Sequence, residues 1–358
     1  MSLVLDAFRD PERMRRYADP DWNRLIQGAR AARLLGRLSF LIEDRGLIAS
    51  CPDAVWGMCL AARYQPAYTL RQILFEAHKV RQVLRDLGCD LILLKGAAYG
   101  AAALPWARGR NLSDLDILVP PGWLGAVEEA LLAGGWECSG LSDYDQRYYR
   151  DWMHELPPFS HPERGVEVDL HHTLLPCTGR LKPQPQALVD ASVPLALAGL
   201  RVLCPPDMLL HTAAHLFYDG EIKGGFGDLV DIHGMILQFG ATPGFWDLLI
   251  ERAVLHQLGR PLYHAIRYAG LLLATPVPPE ALQALRAFAP PALPDRILGR
   301  LICRVLPPAY PERTEPVLAA ALLYARSHWL RMPPWLLTKH LARKALRHLP
   351  TLAPHRRG

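Results

Sequence analysis

The sequence predicts an α+β protein: a compact α/β unit flanked by N-terminal helices and followed by a C-terminal helical domain. Three observations predict it. The first is three-and-four apolar spacing up to Leu87, as in "LRQILFEAHKVRQVLRDLG" (70–88). The second is a change at Cys89 to short apolar or alternating runs, the signature of strands. The third is the return of the helical period at Pro205.

Taken in order, Leu70, Ile73, Leu74, Ala77, Val80, Val83, Leu84 and Leu87 form one helix face, and Gly88 is placed to cap it. "CDLILLKG" (89–96) is a continuous apolar run suited to a strand buried on both sides. "AAYGAAAL" is a short helix, 105–113 a loop and "DLDILV" a second strand. A helix follows from Pro121 to about Ala133, with proline at its start and a glycine pair at its end. "WECSG" and "VEVDLHHTL" are further strands, the latter alternating Val166, Val168 and Leu170 against Glu167, Asp169 and His171. "PPDMLLHTAAHLF", "FGDLVDIHGMILQF", "FWDLLIERAVLHQL" and "RPLYHAIRYAGLLL" are four helices with short connections, as in a bundle. Proline-broken helices come next, then "PWLLTKHLARKALRHL" with one apolar and one basic face. The expected parts are therefore an N-terminal helical segment (1–88), an α/β unit (89–200), a helical domain (201–325) and a basic tail (326–358).

Composition narrows the classes of function. The 358 residues carry a formal charge of +5, yet no acidic residue follows Glu315 while eight Lys or Arg do, leaving −3 for residues 1–315. A mildly acidic body does not suit a general nucleic-acid-binding surface. The basic terminal helix offers a face to an anionic partner or simply to solvent. Seven scattered cysteines without C-x-x-C spacing argue against both a disulfide framework and a zinc site and point to reduced thiols. No run of 18 uncharged apolar residues occurs, and the start lacks a signal-peptide core, so a cytoplasmic protein is expected.

The chemistry concentrates in "RNLSDLDILV" (110–119). On a strand Asp114 and Asp116 point the same way. Adjacent buried like charges are costly, so they either cap a loop and pair with a base, or share a hard divalent cation. Asp169, on the alternating face of another strand, is the natural third carboxylate. Two cations held by three carboxylates suit in-line phosphoryl or nucleotidyl transfer. Upstream, "LLKGAAYG" (93–100) sets Lys95 and Gly96 between a strand and a helix start, where free N–H groups meet an anion. The Walker pattern is absent.

The order K-G, helix, R-x-x-x-D-x-D, helix and a later lone Asp resembles the nucleotidyltransferase superfamily that includes DNA polymerase beta. The nearest resemblance is to its bacterial family of uncharacterised nucleotidyltransferases, through "LLKGAAYG", "RNLSDLDILV" and "VEVDLHH" (166–172) and over roughly residues 20–260. That resemblance implies a polymerase-beta-like unit with a small mixed sheet. It implies transfer of an NMP from an NTP to a hydroxyl of a small molecule, saccharide, peptide or protein, with pyrophosphate release. It assigns Asp114, Asp116 and Asp169 to catalysis and to Mg²⁺, with Mn²⁺ as an alternative, and His171 as a possible companion of Asp169. Lys95 and Gly96 stand where the superfamily usually has Gly-Ser against the triphosphate. Arg110 contacts phosphate or braces the loop, and Ser113 replaces the more usual glycine. Two other readings compete: a non-catalytic nucleotide- or partner-binding module, and a toxin-like enzyme that nucleotidylates tRNA or protein. His211 and His215 have metal-ligand spacing but sit on an apolar face that favours core histidines. Asp228 and Asp231 either line a cleft or brace their helix.

Overall fold

The computed structural model describes residues 2–138, 146–196, 199–219 and 221–333. The basic helix expected at 334–349 lies outside them.

The apolar run after Cys89 forms strand β1 (Leu91–Leu93), every side chain buried. It lies antiparallel to β2 (Asp114–Leu118), with Leu93 opposite Ile117. The alternating run forms β5 (Glu167–His171), parallel to β2 and in register with Asp116 opposite Asp169. Four further strands complete a mixed seven-stranded sheet: β3 (Glu137–Cys138), β4 (Phe159–Ser160), β6 (Val193–Pro194) and β7 (Leu200–Val202). Their order is β3-β4-β5-β2-β1-β7-β6. The chain is thus α+β, with a small mixed sheet and flanking helices as the sequence predicts.

Helices form where the period is 3.6. Tyr64–Val83 buries Ile73, Ala77 and Val80 and ends through a short 3₁₀ turn at Gly88, whose φ of 66° is the left-handed cap geometry. Leu124–Ala133 crosses over after β2. The C-terminal half is built from Pro205–Ala214, Phe226–Phe239, Phe245–Leu255 and Gly259–Leu273, each beginning with or directly preceded by glycine or proline. Proline-broken helices at Pro279–Leu285, Ala292–Val305 and Val317–Arg331 follow.

The N-terminal helices pack on both other parts. Leu3–Arg9 lies on Gly259–Leu273, and Phe8 meets Phe226 edge-on at 6.2 Å. Apolar residues of all three parts, such as Trp22, Ile117 and Leu262, join one buried cluster. Two polar pins add to it. Glu76, fully buried, accepts from Trp136 Nε1 (2.7 Å) and Arg164 Nε (2.6 Å), tying the Tyr64–Val83 helix to the sheet margin. Asp231, also fully buried, accepts from Arg37 and from Arg110 Nε (3.0 Å), joining the N-terminal helices, the loop before β2 and the helical half.

All seven cysteines are free thiols. Among the described residues no helix is long and apolar enough to cross a membrane.

Candidate active site

The site grows from the register of β2 and β5. Parallel neighbours in register point the same way, so Asp114, Asp116, Glu167, Asp169 and His171 share one face of the sheet. A single strand gives the first two; the third carboxylate arrives through pairing. The opposite face carries Leu115, Ile117, Val168 and Leu170, all fully buried. That apolar face fixes the register, because a one-residue slip would bury the carboxylates and expose the core.

Asp116 is buried, and its Oδ1 takes two partners: Lys95 Nζ at 2.8 Å and His171 Nε2 at 2.9 Å. Burial alone would raise its carboxyl pKa, but the Lys95 charge and the His171 hydrogen bond outweigh that and hold it well below the usual carboxylate range. Lys95 is raised in turn by Asp116, against the effect of its own burial. Lys95 has φ 46°, a left-handed conformation that costs a side-chain-bearing residue roughly 1–3 kcal/mol and is most often retained at working sites. The Leu94 N–H donates to the Asp116 carbonyl (3.0 Å), so the turn carrying Lys95 is clamped to β2.

Asp169 is in the opposite state. Burial, then Glu155, Asp116, Asp114 and Glu167, push its carboxyl up to about 8. These four carboxylates crowd Asp169 with negative charge, which favours its protonated form in the absence of a cation. Asp114, Asp116 and Asp169 lie on adjacent strands, two of them register partners, and are the carboxylates that could hold a hard divalent cation.

The remaining expected residues are placed as follows. Gly96 is buried in the short helix Lys95–Ala101; a Cβ there would come within 2.1 Å of Leu112 and 2.3 Å of Arg110. Its lack of a side chain serves close packing under the loop before β2. Ser113 is exposed immediately ahead of that strand. Arg110 gives Nε to Asp231 and sets Nη2 3.5 Å from Asp228, so of its two expected roles the geometry supplies the bracing of the loop. Asp228 and Asp231 likewise hold Arg110 and, through Asp228 Oδ2, His215 Nδ1 at 3.2 Å. Burial works to raise the Asp228 pKa, yet His215 and Arg110 bring it down to about 2. His211 is buried while its helical neighbour His215 turns to Asp228, so the two do not form a shared ligand pair.

Three residues at the site escape the sequence reading: His154, Glu155 and Glu167. Glu167 was legible in the alternation of "VEVDLHH". His154 and Glu155 lie in "MHEL", where no pattern marks them. They reach the site because Glu155 forms an isolated bridge opposite His171, and the His172 N–H donates to the His154 carbonyl (2.9 Å).

The site is thus a carboxylate-rich face of a mixed sheet, with Lys95 and His171 against its buried aspartate. The chain belongs to a family described as uncharacterised nucleotidyltransferase, whose model matches residues 18–274. It is accordingly a transferase of phosphorus-containing groups. No curated protein and no solved structure matches it.

Proposed function

We propose that the protein transfers a nucleoside monophosphate from an NTP to a hydroxyl of a small-molecule, saccharide, peptide or protein acceptor, with release of pyrophosphate. The observation that carries this reading is the register of Asp116 against Asp169, with Asp114 on the same face. Asp114, Asp116 and Asp169 would hold Mg²⁺ or Mn²⁺, which when bound supplies charge neutralisation for the phosphates.

The chain's own groups divide the remaining work. Lys95 is the cation nearest the carboxylates; its side chain is a quarter exposed, which leaves the ammonium free to turn from Asp116 to a phosphate oxygen. Asp169 takes the proton of the attacking hydroxyl; without a cation, burial and the neighbouring carboxylates keep it protonated, and a bound cation would return it to the ionised form that accepts a proton. Asp116 stays ionised and orients both Lys95 and His171. Arg110, braced on Asp231, fixes the loop that delivers β2. The acidic face argues against a polyanionic acceptor, which would meet Asp114, Glu167 and Asp169 together.

The test incubates the full chain with each α-labelled NTP, Mg²⁺ and an acceptor mixture drawn from saccharides, peptides and cell extract. Transfer of label to an acceptor is expected, with pyrophosphate formed in equal amount. Asp116→Ala and Asp169→Asn should both abolish it. Labelling that survives both substitutions, or γ-phosphate transfer in place of the α-phosphate, overturns the proposal.

A further inference from the structure

At the end of the aspartate face lies a second group of donors, built around His171. His154 and His171 are both buried, at 7 % and 0 % exposure, with their rings 5.1 Å apart. Glu155 Oε2 sits 3.4 Å from His171 Nε2 and 3.7 Å from His154 Nε2. One donor atom from each of the three lies within 4.8 Å of the others. In a tetrahedral site with metal–ligand bonds of about 2.0–2.1 Å, neighbouring ligands stand about 3.3–3.4 Å apart. The two Glu155 separations fall on or just outside that edge length.

Two further observations point to a ligand. His154 Nε2, the ring nitrogen that faces Glu155, has its nearest carboxylate oxygens at 3.7 and 4.0 Å, beyond hydrogen-bond distance. A buried imidazole left so poorly satisfied is costly unless it has another task. Backbone pairing also presets the geometry: Glu155 is bridged to His171, and Leu156 N–H donates to the Leu170 carbonyl at 2.9 Å.

We propose that His154, Glu155 and His171 bind a borderline divalent cation of the Zn²⁺ type, with the fourth position left to solvent. Two imidazoles select this class, because Mg²⁺ and Ca²⁺ prefer oxygen donors throughout. The bound ion staples the segment at 154–156 to the end of β5. Asp219 is outside the ligand set, since it lies 4.0 Å from His154 and is shared with Arg331. The inference does not depend on the transfer reaction.

The test uses binding alone. The metal-stripped full chain is titrated with Co²⁺ and followed by visible absorption, and Zn²⁺ retention after gel filtration is measured by mass spectrometry. An intense tetrahedral Co²⁺ spectrum, displaced by Zn²⁺, is expected. His154→Ala and Glu155→Gln, checked for folding by circular dichroism, should each weaken Co²⁺ binding at least about tenfold. Asp169→Asn should leave the spectrum and affinity in place. The proposal is overturned if wild type gives no tetrahedral spectrum, if both site variants bind as wild type does, or if the loss appears in Asp169→Asn instead.

Discussion

Replacing Asp231 by Asn tests how the parts of this molecule are pinned together. Asp231 is fully buried and takes Arg37, 4 % exposed, and Arg110 Nε at 3.0 Å. The substitution leaves Arg37 without this countercharge and Arg110 with Asp228 alone, and aims an amide donor at donors. Breaking a buried pair in this way costs about 3–5 kcal/mol. Unfolding entropy of about 2.1 cal/mol/K per residue over 358 residues gives about 0.75 kcal/mol/K, so the melting temperature should fall by about 4–7 °C. Asp44→Asn is the control. Asp44 takes Arg108 Nη2 at 2.6 and 2.8 Å, a shorter pairing, but the two side chains are about half exposed. Solvent screening limits that pair to about 0.2–1 kcal/mol, or a shift of roughly 1 °C. Differential scanning calorimetry of both variants decides the matter. Equal shifts, or a fall below 2 °C for Asp231→Asn, would refute the argument that burial sets the cost.

Other outcomes follow from the same geometry. Gly36→Ala should destabilise by about 1–3 kcal/mol in urea titration, since its Cβ would meet the Gly109 carbonyl oxygen at 2.6 Å and backbone cannot swing aside. His264 is 2 % exposed, and burial, reinforced by Arg326, lowers its pKa to about 3. The unfolded chain therefore binds the extra proton between about pH 6.5 and 3, and stability must fall as pH drops through that window. The loss should be about 2 kcal/mol between pH 7 and pH 5, and His264→Phe should flatten that slope in urea midpoints at the two pH values. Asp116→Asn should lower the transfer rate by roughly two to three orders of magnitude in the labelling assay while leaving the fold intact by circular dichroism. Glu76→Gln removes the charge facing Arg164 and should lower the melting temperature by several degrees, with the fluorescence of Trp136 shifting as its partner changes.

The sequence was informative wherever physics is local. Leu70 to Gly88 reads as a helix and its cap because both depend on neighbours a few residues away. Asp114 and Asp116 share a face because a strand repeats every two residues. The alternation at 166–171 sets Asp169 and His171 on one side for the same reason. What the sequence could not specify is strand pairing. Two-residue strands such as Glu137–Cys138 and Phe159–Ser160 are too short to carry a period, and β7 hides in the connection that precedes the helical half. Arg110 illustrates the same limit. Its spacing from Asp114 allowed a phosphate contact or a brace, and only the helix at Phe226–Phe239, more than a hundred residues later, brings Asp231 to it.

The sequence by itself determined the α+β class, the three aspartates and the lysine, because these follow from residue type and local period. Tertiary structure alone decided that Asp169 stands directly opposite Asp116, that Arg110 faces inward to Asp231, and that His154 and Glu155 join His171. Register and side-chain company are set by burial summed over distant segments, and no window along the chain contains that sum.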